Sequence, residues 1–191
     1  MSNKINLERG FSTEEFEQRL IKAQDVMRQY KLDGILLTTP QNIRYFTGYD
    51  SQFWESPTRP WFVVVPTSGK PIGIVPEIGE SEFKKTWLDD TKTWPSPRPE
   101  DEGISIVKST LEHLTKIHGQ IGAEFGKEMA IRMPVRDLFK LKEILKTNIV
   151  DGSDAIWEMR MIKTNAEVER IKHICSIASD AYYDLPSKLN I

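Results

Sequence analysis

Leu32-Asp33-Gly34-Ile35-Leu36-Leu37-Thr38-Thr39-Pro40-Gln41-Asn42-Ile43-Arg44-Tyr45-Phe46-Thr47-Gly48-Tyr49 reads as strand, break and polar turn in quick succession, and Arg59-Pro60-Trp61-Phe62-Val63-Val64-Val65-Pro66 as a second strand. Ile35 to Leu37 and Trp61 to Val65 are short apolar runs bounded by Gly, Pro or Asp, the pattern of buried strands. The segment between them carries too many specific polar and aromatic side chains to be a plain linker. Loops held by a rigid scaffold are where function is most often placed.

Working outward, Ser12-Thr13-Glu14-Glu15 has the Ser-x-x-Glu form of a capping box. Phe16, Leu20, Ala23, Met27 and Tyr30 follow at helical spacing, which predicts an amphipathic helix over 13–30. Asp33-Gly34 stops it, Ile35 to Thr39 forms the first strand, and Pro40 starts a turn or short helix through Tyr45. After the strand Trp61 to Val65, Gly69 in a turn leads to a third strand, Pro71 to Val75, as a hairpin. A helix over 78–88 and a strand Thr91 to Trp94 come next, then an exposed loop marked by Pro95, Pro97, Pro99 and Glu100-Asp101-Glu102. Ile104, Val107, Leu111 and Leu114 form a helical stripe. Gln120 to Phe125 reads as a strand, Pro134 opens a helix ending near Lys146, and Asn148 to Val150 is the last strand. Strands alternating with helices imply an α/β layer architecture, with the hairpin making the sheet mixed. Thr164-Asn165-Ala166-Glu167 is a second capping box. Behind it Val168, Ile171, Cys175, Ala178, Tyr182 and Leu185 form the most regular apolar stripe in the chain, on a helix expected to leave the compact domain. The alternative is that this helix packs back on the sheet, or pairs with its copy in a homodimer.

A chain of 191 residues accommodates one domain, or one domain with a short extension. A hydrophobic share of 39% and a mean hydropathy of −0.44 suit a soluble globular protein. The formal charge of −2, with no strongly basic run, argues against a nucleic-acid partner. No stretch approaches the roughly 20 apolar residues a membrane span needs. Met1 to Asn6 lacks the apolar core of a secretory signal, and the single cysteine, Cys175, permits no internal disulfide. The expected location is the cytoplasm.

The first stretch follows the pattern L-D-(G/A)-(L/I)-L-x-T-x-P-x-N-(I/V)-R-Y-(F/L)-(T/S)-G and resembles the N-terminal domain of the creatinase, prolidase and aminopeptidase P ("pita-bread") metallohydrolases. A second run, from Asp151 to Glu169, resembles that family's junction, where a strand ending in Val-Asp leads to R-x-(I/L)-K-(S/T)-x-x-E-(I/V). The resemblance covers most of the chain. It implies a three-layer α/β/α domain with a mixed sheet over residues 1–163, followed over 164–191 by the first helix of a C-terminal catalytic domain. In the family the metal site is two Asp, one His and two Glu of that later domain. Two divalent metal ions are therefore expected there, and no metal or catalytic residue within these 191 residues. The parent reaction implied is hydrolysis of a C–N bond, in an Xaa-Pro peptide or a small amidino or cyclic amide substrate, with the metal pair activating water. The implied task of this domain is homodimerisation and closure of the partner's pocket. The same fold occurs without catalysis as a peptide- or protein-binding module, the aminopeptidase-like domain of a histone-chaperone subunit being one case. That second reading stays open.

The residues themselves offer little catalytic chemistry. His113 and His118 are five apart, which does not align two ligands on a helix face, and no metal site is expected. Ser105-Ile106-Val107-Lys108 has the Ser-x-x-Lys form without partner motifs. Gly122 to Glu128 has one residue too few between its glycines for a phosphate loop, and Glu128 where Ser or Thr must bind magnesium. Cys175, on the apolar stripe, is expected to be a packed core thiol. The loop Tyr49 to Arg59 is the serious candidate. Arg59 has a planar fork suited to a carboxylate, and Phe53 and Trp54 offer an apolar wall. In creatinase-like relatives this loop reaches the partner subunit's active site, and the resemblance implies substrate contacts in trans from Arg59, Trp54 and Tyr49. The opposing reading makes Arg59 a structural ion pair and Trp54 a core residue. Arg160 and Lys163 are expected to hold the interdomain junction rather than touch substrate.

Overall fold

The computed structural model describes residues 10–52, 59–114 and 116–189. Six strands form one sheet in the order β4-β3-β2-β1-β5-β6. They are β1 (Gly34–Leu37), β2 (Phe62–Pro66), β3 (Ile72–Pro76), β4 (Asp90–Trp94), β5 (Gln120–Ala123) and β6 (Asn148–Asp151). β2 runs antiparallel to both β1 and β3, while the β1–β5, β3–β4 and β5–β6 pairs are parallel. The expected mixed sheet is therefore present, with the single antiparallel strand placed by the hairpin.

The helices are α1 (Thr13–Gln29), α2 (Pro40–Thr47), α3 (Glu77–Phe83), α4 (Ile104–Glu112), α5 (Val135–Ile144), α6 (Ser153–Met161) and α7 (Asn165–Lys188). Strand alternation divides the core in two. Ile35, Leu37, Val63 and Val65 pack with Ala23, Met27, Phe46, Ile156 and Met159 under α1, α2 and α6. Leu36, Phe62 and Val64 face the other way, against Val107, Leu111 and Leu141 of α4 and α5. The result is a three-layer α/β/α sandwich. Gly48 ends α2 at φ +75°, and a Cβ there would meet the Phe16 ring at 2.8 Å, so position 48 needs glycine on both counts.

Several elements differ from their sequence expectation. The junction motif predicts no separate helix, yet α6 forms there and buries Ala155, Ile156 and Met159. α3 stops at Phe83 rather than near residue 88. The reason is Trp87, which stacks on Phe16 at 5.9 Å between centroids and donates its indole N–H to the Phe46 carbonyl instead of extending the helix. Thr164 forms the full capping box, with Glu167 Oε2 accepting from the Thr164 amide. Ser12 caps α1 only by its own hydroxyl, because the Glu15 carboxylate turns to Arg19 and Thr164. Cys175 is exposed and not a core thiol, since no residue of α7 is buried. Among the described residues no helix is long and apolar enough to cross a membrane.

Candidate functional site at the carboxyl edge of the sheet

The strand register places the carboxyl ends of β1, β3, β4, β5 and β6, and the amino end of β2, at one edge of the sheet. From β1 the chain moves to β2, β3 and β4 on one side, then returns to place β5 and β6 on the other. The β1/β5 pair is thus the topological switch point, where open α/β sheets leave a crevice for ligands.

Glu124, the first residue after β5, fills the base of that crevice. It is 0% exposed. Its Oε2 accepts from the Thr38 amide at 2.6 Å, the Thr38 hydroxyl at 2.7 Å and the Thr39 amide at 3.0 Å. Its Oε1 accepts from the Thr39 hydroxyl and from Asn42 Nδ2. Thr39 is the N-cap residue of α2 but makes no side-chain cap of its own. Glu124 supplies the negative charge at that helix start instead, where the unsatisfied amides favour an anion. Asn42 passes the network on, its Oδ1 accepting from the Arg160 guanidinium of α6. The Thr-Thr-Pro-x-Asn run of the sequence is therefore a cradle for one buried carboxylate.

Arg160 stands between two open clefts. One, of about 520 Å³, lies at the switch point and is walled by Trp157, with Arg132 and Gln41 at its rim. The other, of about 630 Å³, opens between α1, α2 and the first turn of α7, and is lined by Arg19, Gln41, Arg44, Tyr45, Arg160 and Arg170. The Tyr45 ring carries Arg19 at 4.5 Å and Arg160 at 5.5 Å from its centroid, and burial pushes its hydroxyl up to about 12. Burial also draws the Arg160 guanidinium below its usual range.

The sequence-predicted site residues fall in separate places. Tyr49 is 4% exposed, stacked on Trp61 at 5.3 Å and tilted on Phe83 at 4.8 Å, and its remaining surface edges a further cleft of about 500 Å³ beside Phe16 and Trp87. Burial raises its hydroxyl pKa above the ordinary tyrosine value. Arg59 is half-buried just before β2. Its charge reaches Glu102, whose carboxyl burial would raise but which hydrogen bonds from Trp94, Arg98 and Ser96, with Arg59 behind them, hold low. Trp54 and Phe53 lie outside the described residues. Arg44 pairs with Asp50, and Lys163 donates to the Met161 carbonyl. Sequence reasoning missed Glu124 and Arg19. A lone acid directly after the apolar Ile121-Gly122-Ala123 was the available signal for the first, and an arginine on the buried stripe of α1 for the second.

Among the described residues no three His, Cys, Asp or Glu side chains converge to hold an ion. His113 and His118 are exposed, and His173 is half-buried on α7. What the site offers chemically is oxyanion recognition by its guanidiniums.

Comparison with known proteins agrees with this architecture. The chain spans about two fifths of the length of the curated relatives it matches. One is an uncharacterized hydrolase/peptidase of Sinorhizobium fredii, 26% identical over 166 residues, covering 83% of this chain and 41% of the relative. Another is the creatinase of a Bacillus species, 25% identical over 169 residues, covering 88% of this chain and 39% of the relative. Among solved structures, a prolidase from Thermococcus sibiricus shares the fold with a TM-score of 0.73 at 20% identity, over 93% of this chain and 46% of that one. The profile of the creatinase/prolidase N-terminal domain matches residues 19–162, most of the folded sandwich. By fold, by strand topology and by that match, the chain belongs to the creatinase/prolidase N-terminal domain family.

Proposed function

We propose that the chain serves as the non-catalytic N-terminal domain of a metal-dependent hydrolase of C–N bonds, of the creatinase or Xaa-Pro peptidase type. The supporting observation is the family match over residues 19–162 in a chain that spans about two fifths of its relatives' length. In this reading residues 1–163 are the domain, and 164–191 begin a C-terminal catalytic domain that carries two divalent metal ions. The domain dimerises and caps the partner's pocket in the cytoplasm. Arg59, with Trp54 and Tyr49, then contacts a small peptide, amide or amidine substrate in trans, Arg59 by its fork on a carboxylate. Replacing such a charged hydrogen bond costs about 1.5–3 kcal/mol, so Arg59→Ala in the longer enzyme raises KM roughly tenfold or more. Unchanged KM and turnover, with a dimer intact by light scattering, would remove Arg59 from the site. Isolated residues 1–191 are expected to show no hydrolysis.

The alternative, a stand-alone and catalytically inactive peptide-binding module, draws support from the cleft walled by Trp157 at the sheet's switch point. It predicts that the 191-residue chain binds peptides unaided, which fluorescence titration of Trp157 against a Trp157→Phe control reads directly.

A further inference from the structure

The cleft between α1, α2 and α7 contains one guanidinium with an unmet donor, Arg19, and one without an ion pair among the described residues, Arg160. Arg19 is 3% exposed, and its Nη2 has no hydrogen-bond acceptor. Its Nε donates to Glu15 at 3.0 Å and its Nη1 to the Tyr45 carbonyl at 2.9 Å, but the nearest Glu167 oxygen stands 3.7 Å from Nη2. Arg160 has only the neutral amide oxygen of Asn42 as its hydrogen-bond acceptor and no carboxylate within ion-pair distance among the described residues. Both cations sit over the same Tyr45 ring. Charges drawn out of water are stable when paired, and Arg160 has no such pair among the described residues.

We propose that this cleft is a binding site for the carboxylate of a small organic acid, held between Arg19 and Arg160. Its planar oxygens match the planar forks of guanidinium donors, which a spherical ion does not. Asp50 and Glu167 at the walls repel a phosphate dianion. The space, about 630 Å³, is of small-molecule size. Arg59 does not line this cleft, so the site stands or falls apart from the role given to Arg59 above.

The test is a nitrogen-15 NMR titration of the 191-residue chain with sodium acetate, run against sodium chloride at matched ionic strength and against inorganic phosphate. Saturable shifts of the Arg19 and Arg160 side-chain N–H signals with acetate, absent with chloride, are expected. Arg160→Gln weakens that binding roughly tenfold, and Arg160→Lys, which keeps the charge and loses the fork, weakens it several-fold and is read in its place if the first variant does not fold. Shifts that never saturate, that follow ionic strength alone, or that persist in both variants overturn the site. Saturation by phosphate but not by acetate overturns the assignment to a carboxylate.

Discussion

Two buried carboxylates show how single residues secure this fold. Glu124 meets two amides, two hydroxyls and one amide side chain, so its charge is dispersed over donors rather than balanced by a cation. Glu124→Gln keeps the shape but turns an NH₂ toward those donors, and is expected to lower unfolding free energy by about 2–3 kcal/mol. A urea-denaturation change under about 0.5 kcal/mol, the size of an ordinary surface substitution, counts against the cradle. Asp33 works similarly at the other end of β1, accepting from the amides of Ile117, His118 and Gly119 at 2.9, 2.9 and 2.6 Å. Burial alone would raise its carboxyl, but these hydrogen bonds outweigh it and hold the pKa below the ordinary value. A folded pKa below the unfolded one stabilises the protein above the unfolded value, near 3.9 for Asp, and that contribution disappears as pH falls through the folded value. Asp33→Asn therefore costs about 1–2 kcal/mol at pH 7, and the gap from the parent closes below about pH 4. A gap constant from pH 7 to pH 3 in parallel denaturation curves contradicts this account.

Among the elements, the two helix starts make a natural comparison. Thr164 closes a reciprocal capping box and also donates its hydroxyl to Glu15 at 2.7 Å, tying α7 to α1. Ser12 has one cap bond, at 3.4 Å, and no reciprocal partner. Thr164→Ala should cost about 1–2 kcal/mol and Ser12→Ala nearer 0.5. Hydrogen exchange of the first turn of α7 separates the cases, rising sharply in Thr164→Ala and not in Ser12→Ala. Both caps are legible in the sequence as Ser/Thr-x-x-Glu, yet only one is complete. The pattern states which side chains are near the helix start, and the neighbouring helix decides where Glu15 turns. α6 is not legible in the sequence for a related reason. Ala155, Ile156 and Met159 have helical spacing, but nine residues between a strand and a capping box offer little room for a period to stand out.

At the scale of the molecule, α7 projects a face with no buried residue. Ile171 is 50% and Ile174 63% exposed. A double substitution, Ile171→Glu with Ile174→Glu, should change the unfolding free energy of the isolated chain by less than about 0.5 kcal/mol, as surface changes do. A loss of several kcal/mol would mean that the helix packs on the sandwich in solution, because burying charge in place of isoleucine carries that scale of cost.

The sequence by itself determined the strands, every helix but α6 and the mixed sheet, and its two motifs carried the resemblance to the family. Each rests on periodicity, turn residues or motif spacing, which are local and survive without knowledge of the fold. Only the tertiary structure decided that Thr38, Thr39 and Asn42 hold Glu124, more than 80 residues away, and that Arg19 and Arg160 share the Tyr45 ring. It also decided that Cys175 faces solvent. Such partnerships depend on which strands lie side by side. The pairing of β1 with β5 brings Glu124 beside Thr38, Thr39 and Asn42, and that choice is made by packing over long sequence distance, where no local pattern reports it.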